Sequence, residues 1–455
     1  MSGLRRRDFL RTATRLGALA GIGGALPFAH HSVFGAGAGA GDYRALVCVL
    51  LAGGADSFNL LVPRNSIDHG EYQSRRGDLA LDVNSLLPIG ATQGAVGFGL
   101  HPSLEGMHSL FERGHGAWLS NIGPLVEPTT AASFREGQVD LPLGLFSHAD
   151  QISSWQTVDP GVRTTAGFGG RLGDILISQN SDQPLATSIS LAGSNVFQSG
   201  QLSSSYSINA GDGVRSIGGY EDSDVFRSAL DRLIAEDRGN TLRRAYAGKL
   251  ESAITTGNVF REALAQAPDL NTTFATDPFS SAMAQIARVM SIREQLSANR
   301  QTFFVTYGGW DHHEDTLGQM SSMLPALDQG LSQFYAALEE LGISHQVTAF
   351  TISDFGRTLT SNGKGSDHGW GGQSWVMGGA VNGGQIFGSF PSMDADNPLD
   401  VGRGRFIPTT SVDALYAEFS RWMGVEPLDY PSLLPNYAKF VGHSQGLGLE
   451  NLLMG

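Results

Sequence analysis

Residues 301–353 read QTFFVTYGGWDHHEDTLGQMSSMLPALDQGLSQFYAALEELGISHQVTAFTIS. Thr302 to Tyr307 is a β-rich run, and residues 346–352 (QVTAFTI) form another. Between them Met320, Met323, Leu324, Leu327, Leu331, Phe334, Tyr335, Leu338 and Leu341 recur at steps of three and four, one face of a helix. Gly342 follows as a C-terminal stop. Strand, helix and strand at this spacing predict a right-handed βαβ unit. Upstream, residues 45–51 (ALVCVLL) are continuously apolar and run into Ala52-Gly53-Gly54-Ala55-Asp56. Such a run, ending in glycine, predicts a central parallel strand buried on both faces. The fold class is therefore α/β, with a mostly parallel central sheet and helices on both faces.

The remaining elements are plainer. Residues 118–122 and 187–191 are further strand candidates, and 103–114, 222–253 and 278–298 read as helices. Thr410 or Ser411 can cap a helix through Trp422, with Gly424 as its stop, and 429–455 reads mostly as loop. Residues 41–455 are expected to form one domain. Lys plus Arg number 30 against 44 Asp plus Glu, a formal charge of −14, which argues against nucleic acid as a partner. The single Cys rules out an internal disulfide and a multi-cysteine metal knuckle.

Residues 1–40 have the order of a twin-arginine export leader: Arg5, Arg6 and Arg7, then Asp8-Phe9-Leu10, then a short Ala/Gly-rich apolar run. Small residues follow from Gly35 to Gly41, and cleavage after Ala38 or Ala40 is expected. The apolar run is too short to span a bilayer, and no other stretch reads as transmembrane. A periplasmic or extracellular location is expected.

Three acids follow strand ends: Asp56, Asp311 and Asp354. In parallel sheets the ligand crevice lies beyond the carboxyl ends of the strands, so these residues should converge. Three motifs supply the chemistry: Gly308-Gly309-Trp310-Asp311-His312-His313-Glu314-Asp315, Ser353-Asp354-Phe355-Gly356-Arg357 and Ser366-Asp367-His368-Gly369-Trp370. Carboxylates with imidazoles suit a divalent metal, zinc or manganese ahead of magnesium or calcium. Asp311 and His313 are the leading ligand pair, with Asp354 and His368 completing the shell. Asp367 is either a ligand or a group that orients a neighbouring His. His312 should point away from His313 in an extended segment, so one of the two should be structural. The ordinary alternative is that these Asp and His residues cap turns after strands.

Ser147, in Phe146-Ser147-His148-Ala149-Asp150, is the candidate nucleophile, and it also reads as the N-cap of a helix through Trp155. Ser57 competes for the role, and Asn59 could offer an amide to the same pocket. Arg357 is the candidate clamp for an anionic oxygen, or else a surface ion pair. Trp310 and Trp370 either wall the pocket or simply pack.

Together these motifs resemble the domain of unknown function 1501 family. The matching stretches are LLAGGADSFNLLVP (50–63), LFSHADQISSWQT (145–157), GGWDHHED (308–315), ISDFGRT (352–358), GSDHGWGG (365–372), PTTSVDALYAEFSRWMG (408–424) and LPNYAKF (434–440). Twin-arginine leaders are common in that family, and its members often accompany another exported family, which implies an exported partner protein. The family is similar, more distantly, to the alkaline phosphatase and sulfatase superfamily. That resemblance implies Asp56 as first ligand, Asp311 and His313 as the middle pair, Asp354 as the later acid, His368 as the last imidazole and Ser147 as nucleophile. Two departures stand out: Phe355 occupies a place where the superfamily often has His, and Asp311 lies two residues from His313 rather than at the usual wider gap. One metal, or a rearranged pair, fits better than a complete two-zinc site. The implied function is metal-dependent hydrolysis of small anionic phosphate or sulfate esters. The alternative is an exported binding or assembly protein that kept the fold without catalysis.

Overall fold

The run from 45 to 51 is the middle of strand β1 (Arg44–Ala52), buried throughout. Successive side chains of a strand point to opposite faces. Accordingly Ala45, Val47, Val49 and Leu51 enter one core with the helices Glu105–Glu112, Pro278–Ser291 and Thr316–Glu340. Leu46, Cys48 and Leu50 enter another with the helices Phe168–Ile175 and Val412–Met423. Helices thus cover both faces of the sheet, as the sequence predicts. The computed structural model describes residues 43–454 except 181–186, 212, 214–219, 221–222, 236–240 and 447. The leader at 1–40 and the predicted helix start at Asp222 lie outside the described residues.

Further strands are β2 (Leu61–Pro63), β3 (Leu87–Gln93), β4 (Val96–Leu100), β5 (Gly116–Gly123), β6 (Ser188–Ser190), β7 (Tyr206–Ser207), β8 (Arg300–Gly308), β9 (Val347–Ser353), β10 (Gly372–Gly378), β11 (Ile386–Gly388) and β12 (Thr410–Ser411). The main sheet runs β11-β5-β10-β9-β1-β8-β6-β7, with β12 beside β5. Its pairs are parallel except those that β10 makes with β5 and β9. β2, β4 and β3 form a small antiparallel sheet.

The predicted βαβ unit is β8, the helix Thr316–Glu340 and β9, but β1 lies between the two strands. Ala52 pairs with Gly308 and Leu51 with Ser353, so the three carboxyl ends finish level. That register brings the loops after β1, β8 and β9 together. Gly53 (φ 121°) and Gly54 (φ 81°) make the turn after β1. A Cβ on Gly53 would stand 2.5 Å from the Asp311 backbone nitrogen, so the β1 and β8 loops touch through backbone alone.

Some expected elements differ. The stretch read as one helix over 222–253 is two, Asp224–Ala235 and Thr241–Ala265. The helix expected over 278–298 ends at Ser291. The tail expected to be mostly loop also carries two short helices, Tyr430–Leu433 and Tyr437–Phe440. Among the described residues no helix is long and apolar enough to cross a membrane.

Candidate metal centre

The helix His148–Thr157 starts beside the level strand ends and brings His148 to the loops that carry Asp311, His313 and His368. His148, Asp311 and His368 offer ligand atoms within 4.8 Å of one another. The Asp311 carboxylate lies among three imidazoles. Its Oδ1 is 3.1 Å from His313 Nε2 and 3.5 Å from His368 Nε2, and its Oδ2 is 3.5 Å from His148 Nε2. His313 Nε2 and His368 Nε2 are 3.0 Å apart.

Each imidazole is tied at its other nitrogen. His148 Nδ1 donates to Asp354 Oδ2 at 2.6 Å, His313 Nδ1 to Asp367 Oδ1 at 3.3 Å, and His368 Nδ1 to the Phe146 carbonyl at 2.8 Å. A neutral imidazole that donates at Nδ1 has a bare lone pair at Nε2. Two such lone pairs 3.0 Å apart repel unless a proton or cation lies between them. Burial, with the Arg357 charge adding to it, pushes the His368 pKa down despite the Phe146 carbonyl. A tetrahedral ion with ligands at about 2.0–2.1 Å would set them about 3.3 Å apart, close to the 3.0–3.5 Å from Asp311 to each Nε2 and between His313 and His368. The donor set therefore fits a divalent ion.

The supports are as specific as the donors. Asp354 is buried, and its second oxygen accepts the Gly53 N–H at 2.9 Å, which fixes the carboxylate that orients His148. Asp367 is held by Arg403 and by Asn362 at 3.0 Å. Partial burial raises its pKa, but Asn362 and Arg403 outweigh this and bring it down to about 2. Phe146 adopts φ 73°, a left-handed backbone unusual for a bulky residue, and this places its carbonyl on His368. The Phe355 ring lies tilted against two imidazoles, its centroid 4.4 Å from that of His368 and 5.0 Å from that of His148.

Several expected residues have other tasks here. Arg357 is fully buried, and donates to the carbonyls of Gly54, Ser366, Gly53 and Trp310 as well as to Asp311. It is neither a surface ion pair nor an open anion clamp; its donors face the protein. Burial raises the Asp311 pKa, but Arg357, with His313 and His148, outweighs it and holds the carboxylate below its ordinary value. Asp56 is fully buried in an ion pair with Arg76 at 2.7 Å, apart from the imidazole group. Ser57 is buried and accepts the Gln373 N–H, and Asn59 bonds Leu79 and Tyr72. Trp310 and Trp370 are buried packing residues. Asp150, in the same segment, pairs with Arg163, whereas His148 bonds Asp354. Ser147 does occupy the N-cap, yet its hydroxyl makes no capping hydrogen bond.

His148 is the donor that the sequence placed only beside a candidate nucleophile. Its helix-start position next to Ser147 was legible; its approach to Asp354 and Asp311 is a tertiary fact.

Among solved structures the chain is similar to a sulfatase, PsFucS1 from Pseudoalteromonas sp., at 10% identity over 90% of this chain and 74% of that one, TM-score 0.34. It is similar to the C-terminal periplasmic domain of EcEptC from Escherichia coli at 10% identity, covering 86% and 84%, TM-score 0.34. It is also similar to the lipoteichoic acid synthase LtaP from Listeria monocytogenes at 8% identity, covering 84% and 72%, TM-score 0.32. No curated protein matches the chain by sequence. The family model described as protein of unknown function (DUF1501) matches residues 43–427, and the chain belongs to that family.

Proposed function

We propose that this chain is an exported, metal-dependent hydrolase of small phosphate or sulfate esters. The observation that carries the reading is the convergence of three Nε2 atoms on Asp311 at 3.1–3.5 Å, with every imidazole anchored at Nδ1. His148, Asp311, His313 and His368 would hold a divalent ion, zinc or manganese ahead of magnesium or calcium. Such an ion supplies Lewis acidity toward an ester oxygen. Asp354 and Asp367 orient their imidazoles, and Arg357 holds Asp311 against the strand-end carbonyls. Asp311 and His313 are close to half exposed, which leaves the group open to a substrate from solvent. Ser147 is the proposed nucleophile: it adjoins His148, and its hydroxyl is not consumed by capping. Residues 1–40 are the proposed twin-arginine leader, with 41–455 as the single mature domain in the periplasm or outside the cell.

The test is a panel of phosphate and sulfate esters assayed with the purified mature chain in zinc or manganese. Hydrolysis that Asp311→Asn and His368→Ala each reduce by about 100-fold or more supports the reading. Hydrolysis that both variants leave unchanged refutes the assignment. A second reading, an exported binding protein that has lost catalysis, is favoured by one observation: Val225, Leu233, Leu242 and Tyr246 lie exposed on the adjacent helices Asp224–Ala235 and Thr241–Ala265, as a surface for an exported partner protein would. Pull-down of a specific partner, with no activity on the panel, would favour it.

A further inference from the structure

Asp56 was expected to be a metal ligand, and the structure surrounds it differently. It is fully buried, and its Oδ2 accepts from Arg76 Nη2 and from Ser366 Oγ, each at 2.7 Å. Arg76 ends the helix Ser66–Arg76, is itself fully buried, and also donates to the Thr358 carbonyl at 3.2 Å. The bonds continue toward the imidazole group. The Ser366 carbonyl accepts from Arg357 Nη1 at 3.0 Å, and Arg357 Nη2 donates to Asp311 Oδ1. Ser366 also opens the segment that carries Asp367 and His368. Asp56 Oδ1 and both ring nitrogens of the buried His312 have no hydrogen-bond partner among the described residues, but an ion at that oxygen would sit within a few ångströms of the fixed Arg76 charge. On the strand-end side of the imidazoles stands Phe355, apolar and buried, which offers no ligand atom.

We propose that the buried Arg76–Asp56 pair is a positioning brace for a one-ion site and not part of a second metal site. Resting on the metal reading above, this sets the ion count at one and assigns Asp56 and Arg76 to the support of Asp311 and His368. Asp56 holds Ser366, Ser366 holds Arg357, and Arg357 fixes the carboxylate that the three imidazoles face. The brace lies beneath the ligands, where no solvent or substrate reaches it.

The test is titration of the chelator-stripped mature chain with Co2+, read by visible absorption and by elemental analysis after desalting. The wild type should saturate at one equivalent, with an absorption typical of low-coordinate nitrogen and oxygen ligation. Asp56→Asn should still saturate at one equivalent but bind about 10-fold or more weakly, as supporting residues of metal ligands do. Its melting temperature should fall by about 5 °C or more, because it strands a buried guanidinium. Ser366→Ala, which leaves the ion pair intact, should show the same weakened one-equivalent binding should Asp56→Asn not fold. Saturation at two equivalents in the wild type, falling to one in Asp56→Asn, would overturn the proposal while leaving the metal reading standing. Unchanged affinity in Ser366→Ala would overturn the brace. No uptake of Co2+ by the wild type would overturn both.

Discussion

An imidazole can serve a metal only when one nitrogen is bare and the ring cannot turn away. In His148 the Asp354 carboxylate meets both conditions through one 2.6 Å bond. Removing that acceptor should cost affinity without removing a ligand. Asp354→Asn is expected to weaken metal binding by about 10- to 100-fold with one equivalent still bound, measured by competition with a chromogenic chelator. Asp311→Asn, by contrast, should leave the purified chain metal-free. At this scale the sequence showed the acids after strands and the His residues beside them, because glycine turns after apolar runs mark strand ends. It did not show that Asp354 serves His148 or that Asp367 serves His313, because those pairs span 206 and 54 residues. Arg357 was legible as a cation near the site, but its five backbone and carboxylate acceptors are set by the packing of separate loops.

The elements fix these residues by register more than by loop rigidity. β1, β8 and β9 end level, and the turn after β1 presses its backbone onto the β8 loop at Gly53. Gly53→Ala should therefore act twice. Its φ of 121° disfavours any side chain, and its Cβ would collide with the Asp311 nitrogen 2.5 Å away. A loss of about 2–3 kcal/mol of stability is expected, together with weaker metal binding, measured by chemical denaturation and metal titration on the same sample. Gly77→Ala, whose φ is 55° but whose Cβ position is open, should lose stability without the loss of metal affinity. β1 was legible because its apolar run is unbroken, and β8 and β9 because β-branched and aromatic residues dominate them. β10 was not, since its sequence GQSWVMG has glycine at both ends and no alternation. The insertion of β1 between β8 and β9 was equally hidden, since strand order is not encoded in either strand alone.

At the scale of the whole molecule, stability should depend on pH through a buried carboxyl that is not among the proposed metal ligands. Asp413, near the start of the helix Val412–Met423, is fully buried, and neither carboxylate oxygen has a hydrogen-bond partner among the described residues. Burial, with Asp159 adding to it, raises its pKa from 3.8 to about 8, although Lys439 and Arg171 pull the other way. The folded chain thus keeps a proton that the unfolded chain releases between those values. Folding stability from this group falls as pH rises through that window and levels off above it. Asp413→Asn should remove the slope: its melting temperature relative to wild type should rise steadily from pH 4 to pH 8. A constant difference across that range would show that Asp413 is ionised in the fold. The motif PTTSVDALYAEFSRWMG was legible as a capped helix, but nothing in it marks Asp413 as buried, because the covering groups Asp159, Arg171 and Lys439 come from other segments.

Anomalous diffraction from crystals soaked in zinc tests the proposed metal centre most directly. One peak should lie among Asp311, His148, His313 and His368, with none at Asp56, and it should vanish in Asp311→Asn. Crystals that show no peak among those four residues, or a peak bound by Asp56 instead, would contradict it.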